Sequence, residues 1–132
     1  MKQLMIQQAE QATAYRYQGL VGFKEIAEMM KDYPFDPEVI DKAEIHKENF
    51  MQYGNSTDSL MVPPVSITLR VDPDAEIEKS DEEIKFNFEN FDIVDGRSKV
   101  AAITLLDEKW LESNSAKIEL YVLDKAKMDQ LF

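Results

Sequence analysis

The sequence predicts an α+β fold in which N-terminal helices pack on a four-stranded, mainly antiparallel sheet. Apolar residues recur at helical spacing through the first half and alternate in the second, and a polar stretch ending in Pro63-Pro64 divides the two. The 132 residues and 44% apolar content suffice for one core, so residues 1–132 read as a single domain with a helical part at 1–51, a connector at 52–64 and a sheet part at 65–132.

From Lys2 to Tyr17, Leu4, Met5, Ala9, Ala12 and Tyr15 lie roughly on one helical face, and Gly19 and Gly22 then break the helix. Phe23, Ile26, Ala27 and Met30 give a second helical piece. Asp36-Pro37-Glu38 is a helix start, with Asp36 as cap, Pro37 in the first turn and Glu38 against the positive helix end. That helix runs to about Phe50 and buries Val39, Ile40, Ala43, the stem of Lys47 and Phe50, with Gly54 and Asn55 as its stop.

Past the connector, Ile67, Leu69 and Val71 alternate in a strand over Val65 to Val71. A second strand, Ile84 to Val94, slips register near Glu89-Asn90, which predicts a bulge. Asp95-Gly96 reads as a hairpin turn into a third strand, Lys99 to Leu106. Asp107 to Glu112 gives a turn or two of helix, Lys117 to Leu123 a fourth strand, and Asp124 caps a last helix ending at Leu131-Phe132.

Charge is the main functional signal. Of the formal net charge of −11, six units come from Asp72 to Glu83, where Asp72, Asp74, Glu76, Glu78, Asp81, Glu82 and Glu83 face one base, Lys79. Carboxylates crowded between two strands repel one another unless water, a cation or a basic surface answers them. The scattered Lys and Arg argue against duplex DNA as a ligand, and the absence of a long apolar run argues against a membrane span, so a cytoplasmic location is expected. Zero cysteines exclude disulfides and thiolate metal sites. Asn55-Ser56-Thr57 is a glycosylation sequon, of little meaning without a secretory signal.

The acidic run can be laid on a calcium-loop pattern, but Ile77 stands where the sharp turn needs glycine, Pro73 is rigid, and the flanks read as strands, so no metal is expected. Phe23 to Phe50 has the outline of a helix-turn-helix, yet its second helix presents Glu38, Asp41, Glu44 and Glu48, unsuited to phosphate. His46 is the first candidate for acid–base chemistry, with Asp41, Glu44 and Glu48 nearby, but no nucleophile accompanies it. Phe86, Phe88, Phe91 and Tyr121 could stack bases, although strand spacing favours core packing.

The sequence therefore points to a non-catalytic, acidic interaction module without cofactor that binds a protein with a basic surface. The acidic run would steer the encounter, and Leu131 and Phe132 would supply an apolar anchor. Its sharper form is a virus-encoded inhibitor that mimics nucleic-acid charge. A structural subunit forming homo-oligomers is the competing class, and a small carboxylate hydrolase the third.

Overall fold

The computed structural model describes residues 1–54 and 65–131. In chain order these form β1 (Lys2–Gln11), β2 (Arg16–Gly22), α1 (Phe23–Met29), α2 (Pro37–Gly54), β3 (Ser66–Val71), β4 (Glu76–Lys79), β5 (Glu83–Phe88), β6 (Phe91–Asp95), α3 (Arg97–Thr104), α4 (Glu108–Ser113), β7 (Ser115–Val122) and α5 (Lys125–Leu131). The α+β class holds, but the architecture differs from the expected one. Among the described residues a single mixed sheet has seven strands in the order β4-β5-β1-β2-β7-β3-β6, and five helices are spread along the chain rather than gathered at its start.

The largest correction concerns Lys2 to Tyr17, expected as a helix broken at Gly19 and Gly22 and found instead within the hairpin β1–β2, whose strands are among the central five of the sheet. Leu4 and Ile6 alternate into the core and register with Phe86 and Ile84 of β5. Cross-strand burial on this scale outweighs the helix preference of the Gln-rich stretch. Gln8, at φ 50°, marks the irregularity where the β1–β2 register shifts between Gln7 and Glu10. Gly19, read as a helix breaker, instead allows close strand contact, since a Cβ there would sit 2.4 Å from Ile6 Cγ2 and 2.7 Å from the Gln7 carbonyl oxygen.

A second correction follows Asp95-Gly96. Gly96 is left-handed (φ 86°, ψ 22°), as a hairpin turn requires, but it caps α3 rather than opening a strand. The run Val100-Ala101-Ala102-Ile103 is fully buried on every side, so it carries no periodicity to separate a buried helix from a buried strand. The expected long strand from Ile84 to Val94 is a third correction. It divides at Glu89-Asn90 into β5, paired with β1 and β4, and β6, paired with β3.

That division shapes the sheet. β5 is second in the strand order and β6 seventh, a separation of about 24 Å in a flat sheet. Three Cα steps from Phe88 to Phe91 span at most about 11 Å, so the sheet must be rolled to bring these strands together. The closing corner is filled by Phe88, Phe91 and Tyr33, with ring centroids 6.1 Å apart for Phe88–Phe91 and 5.6 Å for Tyr33–Phe91.

One sheet face, including Leu4, Ile6, Tyr17, Val21, Ile67, Leu69, Ile84, Phe86, Phe88, Ile118 and Leu120, forms one core with residues of α1, α2 and α3. Helix α1 continues directly from β2 and lies beside the first residues of β1. Lys2 Nζ donates to the Met29 carbonyl at 2.9 Å, a cation on the negative end of α1. The predicted helix start at Pro37 and the strands at Val65–Val71 and Lys117–Leu123 match α2, β3 and β7 within two residues, apart from the far end of α2. β3 and β7 pair in parallel, Leu69 opposite Leu120. The division into a helical part and a sheet part is not found, because β1 and β2 precede the first helix and α3, α4 and α5 lie among or after the later strands. The sequon and most of the connector lie outside the described residues.

Candidate functional site

The acidic run begins at the end of β3, turns at Asp72-Pro73-Asp74-Ala75, forms the edge strand β4, and ends in the two-residue turn into β5. The turns are built from backbone bonds: Ala75 N–H donates to Asp72 O at 3.1 Å and Ser80 N–H to Glu83 O at 2.9 Å. Lys79 donates to Gln11 Oε1 at 2.6 Å and stands over the Tyr17 ring at 5.9 Å, tying the turn to β1 and β2.

The seven carboxylates have different surroundings. Asp72 is half-buried and accepts from Arg70 Nη1 at 2.9 Å. Glu78 lies 3.9 Å from Lys85 on the paired strand, an exposed and weak contact. Asp74, Glu76, Asp81, Glu82 and Glu83 are exposed, and among the described residues none has a Lys, Arg or His nitrogen within 4.0 Å. Glu76–Lys79 is a strand, so successive side chains point to opposite faces. Glu76 and Glu78 therefore share one face, but the extended backbone spaces them along β4 instead of curling them around one point, and no group of three or more Asp, Glu or His side chains fit to hold a metal occurs among the described residues.

The field of the hairpin reaches α1. Glu25 is held above the usual carboxylate range first by burial and then by repulsion from Glu28 and Glu83, while a hydrogen bond with the Met5 backbone pulls the other way.

Sequence reading missed Arg70, which alternation assigned to a wet face. It is 6% exposed and bonds to Asp72, to Asp92 through Nε and Nη2 (2.9 and 2.7 Å), and to the Leu123 carbonyl at 2.9 Å. Burial disfavours its charge, but the bonds to Asp72 and Asp92 outweigh that cost and hold the guanidinium above its ordinary pKa. Arg70 thereby fixes the first acid of the run.

The C-terminal helix is capped as expected: Asp124 Oδ1 accepts from Lys127 N–H at 2.8 Å, and Met128 buries against Tyr121 and Leu123. Leu131 is 50% exposed and lines a depression of about 350 Å³ together with Tyr15 and with Pro73 of the acidic run. Phe132 lies outside the described residues. A wider depression of about 620 Å³ crosses the open sheet face, lined by Glu10, Gln18, Leu20, Thr68, Lys117 and Glu119 among others. No motif signalled it, because it assembles from four separate strands.

The remaining candidates have structural places. Phe86 and Phe88 are buried and cannot stack bases, and Phe91 packs on Phe88 and Tyr33. His46 is half-buried on α2, with Asp41, Glu44 and Glu48 exposed on the same helix. Glu38, Asp41, Glu44 and Glu48 are the exposed face that the helix-turn-helix outline would have offered to DNA. No described helix is long and apolar enough to cross a membrane. No family model matches the chain, and neither does a curated protein or a solved structure.

Proposed function

We propose that this chain is a non-catalytic interaction module whose β4–β5 hairpin docks on a basic surface of a partner protein. The observation that carries the reading is the uneven treatment of the seven acids. The fold supplies Arg70 to Asp72 and Lys85 to Glu78, yet leaves Asp74, Glu76, Asp81, Glu82 and Glu83 exposed, without a base within 4.0 Å among the described residues. Exposed carboxylates of one sign on one hairpin attract a cationic surface over about a Debye length, accelerate encounter and make binding salt-sensitive. An apolar contact lies close by, since Pro73 and Leu131 border the same depression. A partner steered by the hairpin would reach Leu131 without leaving that side of the molecule. In the narrower form the partner is a nucleic-acid-handling enzyme whose phosphate groove the carboxylates occupy.

The test is capture of partners from lysate on immobilised protein across a salt series, beside a chain carrying Asp74→Asn, Glu76→Gln, Asp81→Asn, Glu82→Gln and Glu83→Gln. Capture by the native chain that weakens steeply with salt and is lost in the neutralised chain is the expected result. Equal capture by both chains at every salt concentration overturns the reading. Displacement of the captured partner by a nucleic acid would support the narrower form, and failure of any nucleic acid to displace it would remove that form alone.

A further inference from the structure

We propose that the outer edge of β4 accepts an extended segment of the partner as an additional strand, with Lys or Arg at alternate positions and an apolar residue between them. This deepens the interaction-module reading and rests on it. β4 is the first strand in the sheet order and pairs only with β5, so its other side is an edge among the described residues.

The register shows which backbone groups that edge offers. Ser80 N–H donates to Glu83 O, and the same register continues through Lys79–Ile84, Glu78–Lys85, Ile77–Phe86 and Glu76–Asn87. Hydrogen-bonded and non-bonded pairs alternate in an antiparallel ladder, so Glu78 and Glu76 direct their N–H and C=O groups toward β5. Ile77 and Lys79 direct theirs outward. Two donors and two acceptors spaced one pleat apart are what an added strand pairs with.

The side chains define the partner. Ile77 pairs with buried Phe86 and is packed against the core, so a residue set opposite Ile77 extends the apolar face. Glu76 and Glu78 lie on the opposite face with Asn87 and Lys85 and are exposed, so residues opposite them meet carboxylates. The matching segment therefore reads basic, apolar, basic. The same charges repel a second copy of this edge, as short acidic edge strands do, and that repulsion selects against self-pairing while favouring a cationic strand.

The experiment titrates the intact chain with labelled synthetic peptides of equal charge. One has an alternating Lys-Val-Lys-Val-Lys core, one has the same residues in blocks, and two copies of the alternating peptide are N-methylated along one edge or the other. The alternating peptide should bind at least tenfold more tightly than the blocked one. Methylation of one edge should abolish that advantage and methylation of the other should leave it, and amide exchange should slow at Ile77 and Lys79 in the complex. If all four peptides bind equally, the edge proposal is overturned and the charge-based reading stands. If none binds in low salt, both fall.

Discussion

Arg70 gives both Nε and Nη2 to one carboxylate oxygen of Asp92, at 2.9 and 2.7 Å, joining β3 to the edge strand β6. Because the guanidinium is buried and Asp92 is about half-exposed, the two partners are not equivalent. Removing Asp92 strands a buried cation that keeps only Asp72 and the Leu123 carbonyl, whereas removing Arg70 leaves carboxylates that water can solvate. Asp92→Asn should cost about 2 kcal/mol in urea unfolding, the value of a charged hydrogen bond lost from a buried group. Arg70→Met should cost less. A larger loss for Arg70→Met than for Asp92→Asn would contradict this account.

Two glycines of β2 make a paired test of strand packing. At Gly19 a methyl would stand 2.4 Å from Ile6 Cγ2 and 2.7 Å from the Gln7 carbonyl oxygen, whereas at Gly22 it would meet nothing within 4 Å. Gly22 also has an ordinary extended backbone, φ −64° and ψ 143°. Gly19→Ala should destabilise by about 2–3 kcal/mol through strain in the β1–β2 pair, and Gly22→Ala should stay within about 0.5 kcal/mol of the parent. Thermal melts of both variants check this, and similar melting temperatures would mean that β1 and β2 are not packed so closely.

Glu25 gives a pH dependence of unusual sign. Burial and the neighbouring Glu28 and Glu83 raise its pKa in the folded chain, so the folded state binds this proton more readily than the unfolded state. Its favourable contribution is complete below the ordinary carboxylate value and is lost as pH rises through the raised value. Glu25→Gln should therefore raise the unfolding free energy at neutral pH by up to about 1 kcal/mol, and flatten the stability profile just above the ordinary carboxylate value. An unchanged profile would show that burial and the neighbouring carboxylates do not raise this carboxyl's pKa.

What the sequence made legible depended on whether one element carried its own pattern. Ile67-Leu69-Val71 and Ile118-Leu120-Val122 alternate within single strands, and Asp36-Pro37-Glu38 marks a helix start locally. Leu4 and Ile6 also alternate, but Leu4, Met5, Ala9, Ala12 and Tyr15 give an equally good helical stripe. Only pairing with Phe86 and Ile84, some eighty residues away, decides for the strand. Asp95-Gly96 signals a hairpin turn, but the left-handed conformation that Gly96 adopts serves a helix cap equally well, so the pair alone does not separate the expected strand from α3. Of the candidate site, the acidic run was visible as composition. Its division into paired and unpaired acids was not, because Arg70 acquires Asp92 only when β6 joins β3 and is covered when Leu123 places its carbonyl beside it.

The acids that the fold leaves unpaired should be dispensable for folding. Asp74, Glu76, Asp81, Glu82 and Glu83 are exposed and make no ion pair among the described residues, so in isolation they contribute repulsion that salt screens. Neutralising all five as amides should leave the far-ultraviolet spectrum unchanged and raise stability by up to about 1 kcal/mol in low salt, the scale of exposed charge interactions. The gain should vanish at high salt. Asp72→Asn should behave oppositely, losing stability at either salt concentration because its partner is the buried Arg70. If the fivefold variant is instead less stable than the parent, the carboxylates hold the hairpin together, and an external basic surface is no longer needed to explain them.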